Sequence, residues 1–399
     1  MKKNISIICA ILLSAVIDLQ AQPDKLSSGA EISLLTSTPG PLLYQAFGHS
    51  AIRVKDPVND LDHVYNYGTF DFDTDNFYWK FARGNLLYSL SIQDFDVYLT
   101  DYQYYDQTVY EQVFNFNLQE KNKLYQFLQN NYLPANRFYL YDYFQDNCAT
   151  RIYDIIFQVF SEQAEFDDLS WYHPATYRES IDPYLRNFPW SHLGIDISLG
   201  MPTDRTMQPQ DYMFLPEYLM LGLQNVIMDD TGYGAKPLIK SQATLYQGSS
   251  EFPVNPPLQW LPFTILLLLF AVTLFFTYRE IKIQKYYRSI DLIIFSVLGI
   301  IGIYLSFLWI GTQHTAAYIN ADLIWANPLH FTILYFLGRN KLQSKFLHWY
   351  LSFSFLLLLL YLLMWLIDLK NFNGLIIPLL MIYATRLVHW NFYLPYKTR

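Results

Sequence analysis

The chain has 399 residues, 52% of them hydrophobic and 18% aromatic, and a net charge of −8 at pH 7. From residue 252 on there are 11 Lys+Arg against 4 Asp+Glu, and before it 16 against 31, so two differently solvated parts are expected rather than one soluble domain. The acidic first part argues against nucleic acid as a partner and against simple electrostatic docking on anionic lipid.

The chain opens with "MKKNISIICAILLSAVIDLQAQ". Lys2 and Lys3, an apolar core from Ile5 to Val16, and Ala21 ahead of Gln22 predict a secretory signal over residues 1–21. Cys9 lies inside that core rather than in a small-residue lipobox, so it is expected to leave with the signal. Cys148 would then be the one cysteine left, which excludes an internal disulfide. A buried small hydrophobe, an intermolecular bridge and a reactive thiol remain open.

Residues 22–250 read as an α+β domain. The runs "EISLLTST", "AIRVKD", "HVYNYGTF", "LLYSLSIQ" and "TVYEQVFNF" are rich in β-branched and aromatic residues and predict strands. Asn117 as cap, with Glu120 three residues on, predicts a helix over 118–131. In "DNCATRIYDIIFQVF" the spacing of Ile152, Ile155, Ile156 and Val159 predicts a second helix, with Asp146 as its N-cap. Cys148 then falls in the first turn, where free N–H groups and the helix dipole favour a thiolate and offer amides to an acyl oxyanion. Packing beneath a sheet is the alternative role for such a residue.

A thiolate needs a base, and "QAFGHSAIRVKD" offers His49 at the entry of a strand. His63 sits beside Asp62, whereas His173 and His192 read as surface or cap residues. The next strand, "HVYNYGTFDF", offers Asn66, Tyr67 or Asp71 to orient the imidazole, and Asn66 is preferred because its amide accepts from a ring N–H.

After the linker "SSEFPVNPP" the membrane part is expected over 251–399. Apolar stretches from Leu258 to Tyr278, Leu292 to Thr312, Phe346 to Ile367 and Leu375 to about Leu394 are long enough to cross a bilayer. A shorter one, Leu323 to Leu337, holds "WANPLH" and reads as a broken or re-entrant helix that needs protein around its freed backbone groups. Five spans entered from outside place Arg279, Lys282, Lys285, Arg288, Arg339, Lys341, Lys345, Lys397 and Arg399 in the cytoplasm; the outer loops hold only Lys370. His314, Asn320, Asp322, Asn327 and His330 gather at the outer end of the second and third spans, either as a functional cluster or as hydrogen-bonded caps of the bundle.

"FGHSAIRV", "YNYGTFDF" and "DNCATRIYD", in that order, with "FARGNLLYSL" and "MFLPEYLM" between them and the membrane part, resemble the Lnb-type lipoprotein N-acyltransferases of Bacteroidota. The first domain is similar to circularly permuted papain-like, NlpC-like cysteine hydrolases. The resemblance implies that fold, followed by an all-α bundle of five transmembrane helices in the bacterial inner membrane with the first domain in the periplasm. It implies Cys148 as nucleophile and His49 as base, with no cofactor or metal. Ser50, Tyr67, Asp146 and Asn147, and in the membrane part His314, Asn320 and Asn327, are the candidate supporting or substrate-binding residues. The implied reaction moves an acyl chain from a membrane glycerophospholipid, through a thioester, to the α-amino group of a diacylglyceryl lipoprotein. A membrane-tethered cell-wall cysteine peptidase is the rival reading, and a non-enzymatic sensor a third.

Overall fold

The structure is a computed structural model that describes residues 23, 25–160, 164–230, 234–249, 259–371 and 374–393. The expected signal and most of the linker lie outside the described residues.

The β-rich runs form β1 (Glu31–Ser37), β2 (His49–Asp56) and β3 (Leu61–Thr69); after α1 (Phe77–Ala82) come β4 (Leu87–Asp94), α2 (Phe95–Tyr104) and β5 (Val109–Phe114). Next are α3 (Leu118–Tyr132), β6 (Phe138–Leu140) and α4 (Cys148–Phe160), then β7 (Ala164–Phe166), α5 (Tyr177–Leu185), α6 (Pro189–Ser198), α7 (Pro216–Gln224), β8 (Val226–Asp230), β9 (Gly234–Pro237) and β10 (Ile239–Tyr246). Asn117 and Glu120 close the expected capping box of α3.

An antiparallel seven-stranded sheet runs β10-β5-β1-β2-β3-β4-β6, and β7-β8-β9 make a small second sheet. Alternation along the central strands divides their side chains between two layers. Ile32, Leu34, Ile52, Val54 and Tyr65 meet the apolar stripe of α4, whereas Leu35, Ala51 and Val64 meet Tyr98 of α2. Each fully buried Ile of that stripe is worth about 1.5–3 kcal/mol.

The second part holds α8 (Leu261–Ile283), α9 (Arg288–Gly311), α10 (His330–Gly338), α11 (Lys345–Leu366) and α12 (Ile377–Val388). Among the described residues four stretches are long and apolar enough to cross a membrane: Leu261–Ile283, Arg288–Gly311, Lys345–Leu366 and Gly374–Tyr393. The fifth expected segment is present as α10, whose nine residues at 1.5 Å per residue span about half of a ~30 Å hydrocarbon core, the length of the broken helix that the sequence suggests. Short 3-10 turns at Thr315–Ala317 and Ala321–Ile324 lead into it. Their polar groups are met by protein: Asp322 accepts from Trp325 Nε1 at 2.9 Å and from the Tyr361 hydroxyl at 2.5 Å, and His330 Nε2 donates to the Trp325 carbonyl at 2.8 Å.

The two parts are bracketed together. Leu193 and Ile197 of α6 belong to the core of the helical bundle. Gly200 N–H donates to the Ala316 carbonyl at 2.7 Å, and a Cβ on Gly200 would stand 1.9 Å from the Tyr318 carbonyl oxygen, so only glycine permits this approach. Behind it, buried Arg178 pairs with Asp196 and Asp204 at 2.7 Å each, and Lys370 lies 3.5 Å from Asp204 and 3.9 Å from Asp322. Lys370, the basic residue of the outer loops, is thus enclosed between acids of both parts.

Candidate active site

Cys148 opens α4 and is 8% exposed. The helix is capped by Asn147, not by the expected Asp146. Asn147 Oδ1 accepts from the amides of Ala149 and Thr150 at 2.8 and 2.9 Å, and its Nδ2 donates to the carbonyls of Tyr143 and Phe214, both at 2.8 Å. The backbone of Asp146 pairs with Asp142 across a tight turn, which moves the cap one residue on and turns the Asp146 carboxylate to Arg151 at 2.5 and 2.7 Å. The cap also occupies two of the first-turn amides expected to meet an oxyanion, leaving the N–H of Cys148 without an acceptor among the described residues.

His49 begins β2 directly after Gly48, whose φ is +74°. Its Nε2 is 2.6 Å from Asn66 Oδ1, and Ile52 stands opposite Tyr65 in the β2–β3 ladder. Continuing that register puts Ala51 opposite Asn66, so His49 and Asn66 are diagonal neighbours on one face, within side-chain reach. With Nε2 donating to Asn66, Nδ1 is the ring nitrogen left for the thiol. Tyr67 and Asp71, the other two candidate orienters, are elsewhere: the Tyr67 hydroxyl is buried without a hydrogen-bond partner among the described residues, and Asp71 binds the Asp73 amide in an exposed turn.

Burial on its own pushes the Cys148 thiol up and His49 down. The charge of His49, its hydrogen bond to the sulfur, and the N–H groups of Ser50 and Ala149 outweigh this and leave the thiol below its ordinary value. The sulfur and Asn66 together raise His49. The pair is therefore disposed as thiolate and imidazolium. Ser50 contributes its backbone amide, while its buried hydroxyl finds no hydrogen-bond partner among the described residues.

Five tyrosines that sequence reasoning missed lie within electrostatic reach of the thiol. Tyr98 and Tyr102 of α2, and Tyr139, Tyr141 and Tyr143, are raised chiefly by burial, and each also feels the Cys148 charge. The even spacing of tyrosine in "FYLYDYF" is a strand-face signal that points to the last three. Gly68, at φ +89°, lets the end of β3 come close: a Cβ there would sit 3.7 Å from both Cys148 Cβ and a Tyr141 ring carbon.

The remaining candidates lie apart from the thiol. His314 Nε2 donates to the Ala82 carbonyl at 3.2 Å, Asn320 Nδ2 to the Ile197 and Ser198 carbonyls at 2.9 and 3.1 Å, and Asn327 Oδ1 accepts from the Tyr350 hydroxyl at 3.1 Å. They fasten the two parts and the interrupted segment. His63 lies 3.2 Å from Asp94. His192 corrects its surface reading, being buried and 2.9 Å from Asp182. The site nevertheless touches the bundle, since Thr315 donates to Asp142, next to Tyr141, at 2.5 Å. Sequence reasoning also passed over Arg386, whose guanidinium is buried among Glu280, Asp291 and Thr277. Neither cysteine–histidine spacing nor hydropathy points to it, and only the acid residues one helix away explain it.

Comparison with curated proteins and with solved structures finds no match. Family models for the Lnb N-terminal periplasmic domain and the Lnb transmembrane domain match residues 20–182 and 255–399. A periplasmic domain bearing the thiol and a transmembrane domain, both described by one family and together most of the chain, make this chain a member of the Lnb family.

Proposed function

We propose that the chain is a lipoprotein N-acyltransferase of the bacterial inner membrane, its first domain a circularly permuted papain-like fold with Cys148, His49 and Asn66 as the catalytic set. The observation that carries this is the Cys148–His49–Asn66 chain of contacts set among tyrosines beside the outer end of the membrane domain. Family membership supports a role in lipoprotein maturation.

In the first half-reaction the Cys148 thiolate attacks the ester carbonyl of a membrane glycerophospholipid. A C–S bond forms, the ester C–O bond breaks, and the His49 imidazolium gives its proton to the departing lysophospholipid oxygen. The Cys148 N–H left open by the cap is placed for the oxyanion. In the second half the free α-amine of a diacylglyceryl-cysteine attacks the thioester. An amide bond forms, the C–S bond breaks, and the amine proton passes to neutral His49, which restores the ion pair. A thioester among aromatic side chains is shielded from water, which favours transfer to the amine over hydrolysis.

Mass spectrometry of lipoprotein N-terminal peptides tests the reading. Cells carrying Cys148→Ser or His49→Ala are expected to accumulate diacylated lipoproteins, and unchanged N-acylation in both sinks the assignment.

A further inference from the structure

The segment from Phe70 to Arg83 is aromatic to an extent that neither the core nor the ion pair uses. Phe72, Tyr78, Trp79 and Phe81 are 65%, 80%, 58% and 53% exposed. Large apolar side chains gathered this way mark a contact surface.

Its place identifies what it contacts. Trp79 stacks on Phe307 of α9 at 5.9 Å, Arg83 Nε donates to the Gly311 carbonyl at 3.1 Å, and Gln313 N–H donates to the Arg83 carbonyl at 2.9 Å. The segment is thereby fixed to the outer end of a membrane-spanning helix whose neighbouring Ile310 and Tyr304 are themselves exposed. Tyrosine and tryptophan at that level sit where headgroups meet acyl chains.

From this surface a row of rings leads inward. Phe72 meets Phe77 at 4.8 Å, Phe77 meets Phe70 at 5.8 Å, Phe70 meets Tyr88 at 5.4 Å, and Tyr88 stacks on Tyr141 at 4.5 Å. Tyr141 shares with Cys148 the space left by Gly68.

We propose that residues 70–81 engage the outer leaflet and that the acyl chain of a glycerophospholipid is led to Cys148 along the Phe72–Phe77–Phe70–Tyr88–Tyr141 row. This rests on the acyltransferase reading for its destination, but the lipid contact stands independently of it. Occupancy by a bilayer rather than a protein follows from the continuity of the surface with the lipid-facing side of α9.

The test uses the full chain in phosphatidylethanolamine/phosphatidylglycerol vesicles doped with a phospholipid carrying a photoactivatable diazirine near its ester. Cross-links are expected on the peptide holding residues 70–83. The exposed double variant Tyr78→Ser/Phe81→Ser, outside the row, is expected to lose them and to slow thioester formation on Cys148 from vesicle lipid about tenfold or more. Acylation of Cys148 by water-soluble p-nitrophenyl butyrate should be unchanged, showing an intact ion pair. Cross-links confined to the spanning helices, or a double variant acylated by vesicle lipid at the wild-type rate, overturns the proposal. Cross-links at 70–83 without any Cys148 thioester keep the lipid contact and remove instead the acyl-transfer reading together with the row's destination.

Discussion

At Cys148 two opposed influences meet, burial against a neighbouring cation, and the sign of the outcome has a measurable form. The thiol lies below its ordinary value and His49 above its own because each charged form favours the other. Iodoacetamide alkylation should begin below the ordinary thiol range of about 8.5 and fall off on the acid side as Cys148 takes up a proton. Acyl transfer should also decline on the alkaline side, where His49 loses the proton it must donate. In His49→Ala only the N–H groups of Ser50 and Ala149 still oppose burial, so the onset of alkylation moves to higher pH; an unmoved onset contradicts the ion pair. Asn66→Ala leaves the thiol in place but frees the ring to turn, which should slow N-acylation by about a hundredfold with the thermal transition little changed. The lone thiol and its upstream histidine were legible in the sequence because each is a chemically distinctive residue beside a periodic run. Asn66 was legible as one of three possibilities, and what separates it from Tyr67 and Asp71 is the strand register, which alternation alone does not fix.

Among the elements, α4 shows how one residue of displacement changes a role. Asn147→Ala removes a cap, worth about 1 kcal/mol, and strands two buried carbonyls that cost about 1 kcal/mol or more each, so a loss near 3 kcal/mol is expected in chemical denaturation. Asp146→Ala breaks only a partly exposed pair with Arg151 and should cost about 1 kcal/mol or less. Equal losses would return the cap to Asp146. The sequence reading placed the cap on aspartate because it is as good a capping residue as asparagine, and nothing local announces the Asp142–Asp146 bridge that moves it. The strands β1 to β5 and the Asn117 box of α3 were readable because their signals are local. The half-length α10 was readable as broken from "WANPLH", yet its nine residues were not, since its end depends on side chains arriving from α11.

On the scale of the whole molecule the two domains are held as one body by Gly200, Asn320 and the enclosed charges around Lys370. Gly200→Ala should part them: with Cys148 replaced by Ser, cysteines at Ser198 and Tyr304, whose hydroxyls are 2.9 Å apart, should be bridged readily by a short bis-maleimide spanning the length of the lost tyrosine ring in the parent and poorly in the variant. Undiminished cross-linking would show that the approach tolerates a side chain. Lys370→Met leaves Asp204 and Asp322 facing a neutral side chain, a loss of about 3–5 kcal/mol that Lys370→Met/Asp322→Asn should partly recover in thermal unfolding.

Lys370 also bears on how the protein comes to be made. A lysine delivered to the outer face runs against the usual sorting of basic residues, and Asp204, its partner, belongs to the part synthesised and translocated earlier. The counter-ion thus comes from the domain that stands earlier in the chain, so the closing hairpin is expected to settle only once that domain has folded.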